Sequence, residues 1–159
     1  MNVGSAGIAL IKKWEGLVDG DPDTPGLDPY RCPADIPTIG WGSTWDLDGS
    51  RITMDHPPID IDYATRLLER ELRHVQGAIQ KLVSVPLSQG QYDAVASLTY
   101  NVGSGRLQSS TLRMKLNRYD YTGASNEFWK WRRANGRILR GLVLRRAEEK
   151  ALFLQGDLL

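Results

Sequence analysis

The sequence is poor in residues that staple, ligate or anchor a chain. Its single cysteine, Cys32, excludes an intrachain disulfide framework. Two histidines, His56 and His74, and no cysteine cluster are too little for most metal sites, so no metal and no other cofactor is expected. No apolar run approaches the ~20 residues that a membrane span requires, so no stable membrane insertion is expected. The opening MNVGSAGIALIKKWEG has a short apolar stretch whose lysines follow it, the reverse of a secretory signal. There is no internal repeat, low-complexity tract or recognisable nucleic-acid motif. A net charge of +1 names no partner.

What is present suits one compact domain. The 159 residues can bury a real core, and 41% apolar and 25% charged residues are ordinary for a globular chain. The charges are unevenly spread. From Asp19 to Asp62 there are ten Asp and two basic residues, Arg31 and Arg51; from Trp129 to Lys150 there are eight basic residues and two acids. Either the molecule is polarised or it carries two solvated faces.

Ile8, Ile11, Trp14 and their neighbours recur at helical spacing, which predicts a helix over 5–17 with Ser5 as its cap. The Asp-, Pro- and Gly-rich stretch from Asp19 to Pro37 breaks regular structure, and residues 19–28 read as a mobile loop. Short strands are expected at 27–30 and 38–45, the latter returning through a Gly/Asp turn. Tyr63, Leu67, Leu68, Leu72, Val75, Ile79 and Leu82 trace one face of a long helix over 61–82, with Asp60 or Asp62 at its start and Pro86 beyond its end. Further helices are predicted at 88–102, 109–118, 121–134 and 141–154. Ser88, Ser109 and Thr122 are the candidate caps, and Gly103 and Gly156 the candidate stops. Strands first and helices afterwards define an α+β class.

Glu15 follows Trp14 and precedes Gly16 at a helix-to-loop junction. Partial desolvation there would keep a carboxyl protonated, as a general acid requires. The surrounding segments add to this. Glu15-Gly16, Tyr30-x-Cys32, Pro33-Ala34-Asp35, Thr38-Ile39-Gly40-Trp41-Gly42, LTYNVGSGRLQSSTLRMKLN and Gly141-Leu142-Val143-x-Arg145-Arg146 occur in order. Together they resemble the phage-type lysozymes of glycoside hydrolase family 24 over nearly the whole chain, from about residue 7 to 154.

The resemblance implies a two-lobe lysozyme-like fold within a single domain spanning 1–159. An N-terminal lobe with a β-hairpin (about 1–60) and a helical lobe (about 83–159) would be joined by the 61–82 helix, with the glycan in the cleft between them. It implies hydrolysis of the β-1,4 bond between N-acetylmuramic acid and N-acetylglucosamine in peptidoglycan, and a role in host lysis. Glu15 would protonate the glycosidic oxygen. Cys32 falls where many members have a catalytic Asp and a subset have Cys, and Thr38 would hold the water or orient that second group. Tyr30, Asn101 and Arg145 would lie on the substrate side, with Arg145 also placed to pair with Glu15.

Two departures stand out. Sixteen residues separate Glu15 from Cys32, more than is usual in the family, so Asp28 and Asp35 become alternative water-activating groups. Such a loop insertion adds little closure entropy. Ser43 replaces the usual His after Gly-x-Gly, which is expected to alter local stability rather than catalysis. Cys32 itself has a plain alternative as a small buried hydrophobe. Asn101 would equally serve as a helix cap. Of Trp129 and Trp131, at least one is expected in the core. The last basic segment is either a packed helix or a surface touching an anionic membrane. The leading reading is a monomeric muramidase made in the host cytoplasm and reaching the wall after membrane permeabilisation. A non-cutting peptidoglycan binder and a nucleic-acid binder are the competing classes, and the acidic first third argues against the last.

Overall fold

The computed structural model describes Met1–Gln155; Gly156, expected to stop the last helix, lies outside the described residues. Helix α1 (Ser5–Glu15) is followed by a hairpin of β1 (Tyr30–Arg31) and β2 (Pro37–Thr38). Then come α2 (Ile61–Leu82), α3 (Gln89–Val102), α4 (Ser104–Gln108), α5 (Thr111–Asn117) and α6 (Tyr121–Ser125). A short 3-10 turn (Phe128–Lys130) and a second hairpin of β3 (Arg133–Ala134) and β4 (Arg137–Ile138) lead into α7 (Arg140–Gln155). Small antiparallel hairpins among helices make this the expected α+β class. The chain divides into two compact units, one of Glu15–Arg73 and one of Met1–Trp14 with the residues from His74 on.

The Glu15–Arg73 unit is built on paired backbone more than on long strands. The β1–β2 register sets Tyr30 opposite Thr38 and Arg31 opposite Pro37. Regular pairing stops at Thr38, short of the expected 45, because Gly40 and Gly42 both turn left-handed, at φ 63° and 80°. Ile39 and Ser43 close the loop around them by exchanging backbone bonds of 2.9 and 3.0 Å. Leu27 does not begin the hairpin. It exchanges bonds of 2.7 and 2.9 Å with Ile59 instead. The 19–28 loop is internally bonded rather than open: Asp19 Oδ1 accepts from the N–H groups of Asp21 and Asp28 at 3.0 and 3.1 Å, and the Thr24 hydroxyl donates to Asp28 at 2.8 Å. Ile39, Ile52, Ile59, Ala64, Leu67, Leu68 and Leu72 are buried here. The start of α2 is capped by Asp60, whose carboxylate accepts from Tyr63 N–H at 2.8 Å.

In the other unit, Ser5 is the first helical residue, and Gly4 holds the cap position. Its carbonyl accepts from Ile8 N–H, and its own N–H donates to Asp93 at 2.8 Å. Ser88 caps α3 in a capping box with Gln91, and Gly103 ends that helix at φ 96°. Elsewhere the caps move: Ser110 rather than Ser109 starts α5, and Asp120 rather than Thr122 starts α6. The predicted 121–134 helix ends at Ser125. Asn135 and Gly136, at φ 52° and 75°, make a tight turn between β3 and β4, a signal that Asn-Gly carries in sequence. Phe128 and Phe153 fill the core, their rings 5.6 Å apart, while Trp129 is exposed and Trp131 half-buried, against the expectation of a core tryptophan.

Helix α7 lies on α3 through a buried charge cluster. Glu149 is 0% exposed, with Arg146 Nε 2.6 Å and Arg145 Nε 3.4 Å from its carboxylate, and Ser97 of α3 donates a hydroxyl bond of 2.6 Å. Arg145 also donates to the Ser97 carbonyl at 3.1 Å. Removing the carboxylate would take a buried ion pair from each of two buried guanidiniums. Glu149→Ala is therefore expected to lower the unfolding free energy by about 3–5 kcal/mol in urea denaturation. A loss below about 1 kcal/mol would show that the cluster does not hold α7 to α3.

Candidate active site

Helix α1 ends on Glu15 because Gly16 follows at φ 71°, a left-handed stop that glycine adopts without strain. The side chain of Glu15 is half-buried. Against it lies Gly42: a Cβ built there would sit 2.7 Å from Glu15 Oε2. The Gly-x-Gly loop thus does two jobs. Its left-handed residues close the Ile39–Ser43 turn, and its missing side chain leaves room for the carboxylate. The sequence pattern contained Gly42, but only packing reveals why it lacks a side chain.

Cys32 follows β1 at the start of a turn in which Asp35 N–H donates to the Cys32 carbonyl at 2.8 Å and Cys32 N–H donates to the Ile36 carbonyl at 3.0 Å. Burial pushes the Cys32 thiol up, but backbone N–H groups at Ile36 and Ala34, the Thr38 hydroxyl and its own N–H outweigh it and bring it below the usual thiol value. Thr38 is 2% exposed, and its hydroxyl reaches the Ile36 carbonyl at 2.8 Å as well as the sulfur. Tyr30, across the hairpin from Thr38, has its phenol raised by burial and by the negative charges of Glu15 and Cys32. Glu15, Tyr30, Cys32 and Thr38 therefore belong to one unit, with Tyr30 within electrostatic reach of both Glu15 and Cys32 and Thr38 bonded to Cys32.

Asp28 is tied to Thr24, and Asp35, with φ 62° and an 84% exposed side chain, stands 3.8 Å from Arg31. Asn101 is exposed in the last turn of α3, and Arg145 is buried in the Glu149 cluster. Ser43, at the departure from Gly-x-Gly-His, is 1% exposed with its hydroxyl unpartnered. Among the described residues no group of three or more His, Cys, Asp or Glu could hold a metal ion.

This fold is that of the lysozymes encoded by bacteriophages. A crystal structure of a point mutant of P22 lysozyme aligns with a TM-score of 0.78 at 36% identity, covering 97% of this chain and 99% of that one. The endolysin of Escherichia coli O157:H7 phage FAHEc1 aligns with a TM-score of 0.83 at 29% identity, covering 98% of this chain and 95% of that one. The endolysin of Acyrthosiphon pisum secondary endosymbiont phage 1 is 40% identical over 158 residues, 96% of this chain and 98% of its own. The phage lysozyme family model matches residues 12–149, and the chain belongs to that family.

Two measurements test the geometry. Gly42→Ala meets only the end of a flexible side chain, so the protein can relieve the clash by moving the Glu15 carboxylate. The left-handed backbone adds a strain of about 1–2 kcal/mol. Hydrolysis of purified cell wall is expected to fall about a hundredfold, as a displacement near 1 Å can produce, with a much smaller effect on stability. Gly49→Ala is the control: its φ is 86°, but the nearest neighbour is Arg70 at 3.7 Å, so it carries the strain without the clash. Equal activity losses in the two variants would refute the packing argument. The second measurement is alkylation of Cys32 against pH, expected to reach its half-maximal rate below the ~8.5 of a free thiol. Thr38→Val should shift that midpoint upward. An unshifted midpoint would remove the hydroxyl from the sulfur's environment.

Proposed function

We propose that the chain is an endolysin, a muramidase that hydrolyses the β-1,4 bond between N-acetylmuramic acid and N-acetylglucosamine in bacterial peptidoglycan and so lyses the host cell. Membership of the phage lysozyme family carries this reading. The clustering of a half-buried carboxyl at Glu15 with a thiol held below its usual value at Cys32 supports the assignment of roles.

Cleavage needs a proton on the leaving oxygen and a negative or water-directing group across the sugar ring. Glu15 donates the proton to the glycosidic oxygen. Cys32, as thiolate, supplies the opposing negative charge. Thr38 acts through Cys32 rather than as a ligand of bulk water. Its burial and its hydroxyl's place between the sulfur and the Ile36 carbonyl support this choice. Tyr30 keeps its phenolic proton and presents it to the substrate. Asn101 and Arg145 are assigned to the substrate side on their motif positions alone. The scheme uses side chains and water, and the partner is the glycan strand of the wall, met by a monomer.

Among the described residues no helix is long and apolar enough to cross a membrane. We place the protein in the host cytoplasm, acting on the wall once the inner membrane is permeabilised.

Glu15→Gln preserves shape and removes the ionisable proton. Reducing-end release from purified peptidoglycan should fall about 10²–10⁴-fold, with the melting temperature nearly unchanged. Near-normal turnover would reject Glu15 as the acid. Cys32→Asp, which installs the residue commoner in the family, should remain active, whereas Cys32→Ala should not. A fully active Cys32→Ala enzyme would move the role to Asp28 or Asp35.

A further inference from the structure

The segment from Trp129 to Leu144 exposes five large apolar side chains, Trp129, Ile138, Leu139, Val143 and Leu144, each 40–51% accessible. They are neighbours in space as well as in sequence. Arg132 stacks its guanidinium 4.2 Å over the Trp129 ring, and Leu139 N–H donates to the Arg132 carbonyl at 3.1 Å. Ile138 faces Arg133 across the hairpin, and Val143 N–H donates to the Leu139 carbonyl at 3.0 Å. Arg132, Arg133, Arg137 and Arg140 are interleaved with them, the last three exposed.

No carboxylate within the segment offsets that charge. The nearest acids along the chain are already committed: Glu127 to Lys115 and Lys130, Glu148 to Lys13 and Trp14, and Glu149 to Arg145 and Arg146. Folding does not account for the arrangement either. Arg140 opens α7, where the helix dipole disfavours a cation, and the first turn contains no acid. A contiguous apolar patch on a solvent-facing surface marks an interaction site more often than chance.

We infer that this hairpin and the first turns of α7 form a peripheral docking surface for an anionic phospholipid membrane. The chemistry fits both halves of such a bilayer face. Guanidinium groups bind phosphate in a planar, two-pronged geometry. Each basic residue held at an anionic leaflet strengthens partitioning about fivefold. The aliphatic side chains enter the boundary between headgroups and acyl chains, where tryptophan is also favoured. A second copy of the chain would bring arginines onto arginines. A nucleic acid would match the charge but give Ile138, Leu139, Val143 and Leu144 no apolar phase.

Co-sedimentation of the full chain with vesicles tests this without any glycan, so the outcome is independent of the hydrolase reading. Phosphatidylglycerol vesicles should bind the protein at least tenfold more tightly than phosphatidylcholine vesicles, and added salt should weaken that binding. The double variant Arg137→Gln/Arg140→Gln should bind about twenty-five-fold more weakly. Ile138→Ser/Leu139→Ser should also bind more weakly while the salt dependence persists, with hydrolysis of purified wall retained by both variants. Equal binding to the two lipids, or no binding to phosphatidylglycerol, overturns the proposal. So does an unaffected serine variant, which would leave charge alone and point to an oligonucleotide-like ligand. Sedimentation equilibrium that finds a dimer broken by Ile138→Ser would assign the patch to self-association and overturn it as well.

Discussion

The site depends on the close approach of a carboxylate to a backbone without a side chain. Glu15 Oε2 occupies the volume into which any Cβ at residue 42 would project. That approach requires three things of the local chain: a helix that stops on Glu15, a glycine at 42, and a loop that turns sharply enough to present that glycine. Gly16 supplies the stop, and the left-handed conformations of Gly40 and Gly42, closed by the Ile39–Ser43 bonds, supply the turn. Ala64 packs behind the loop, where a Cβ at residue 40 would come within 3.2 Å of it. The glycines are thus demanded from both sides, by backbone conformation and by contact.

The uneven charge has a different meaning once side chains are placed. Much of the acidic first third is spent inside its own unit as hydrogen-bond acceptors. Asp60 caps α2, and Asp19 organises the 19–28 loop. Asp46 accepts from the Tyr63 hydroxyl and lies 2.8 Å from His56 Nε2, tying the 46–50 turn to α2. The Asp46 bond holds the Tyr63 phenol up at about 12, so it stays a donor across the physiological range. The basic last third divides in two. Arg145 and Arg146 are buried against Glu149, whereas the arginines of the β3–β4 hairpin remain on the surface. Counting charges in sequence cannot separate these groups, because burial is a property of the packed helix.

Several elements were legible residue by residue. The apolar period of α2 located a helix over 61–82, and Ser88 marked the start of α3 as its cap. Tyr30, Cys32 and Thr38 stood at motif spacing, and the hairpin register brings Tyr30 and Thr38 opposite each other. The misreadings have physical causes. Ser109 and Thr122 are each near residues equally able to cap, Ser110 and Asp120, and the choice is settled by which backbone leaves the helix. The run from Phe128 to Trp131 reads as helical because aromatic spacing alone does not reveal a 3-10 turn, and the Asn135-Gly136 turn beyond it ends any helix before α7.

Local preference and motif order by themselves determined the α+β class, the long helix and the family, because these depend on residue type and spacing along the chain. Tertiary structure decided what depends on neighbours distant in sequence. It showed that Gly42 makes room for Glu15, that Thr38 is directed to Cys32, that Glu149 pairs with two buried arginines, and that Trp129 lies at the surface while Phe128 takes the core. Each of these is a matter of which atoms exclude water from which others, and that is established only when the chain has packed.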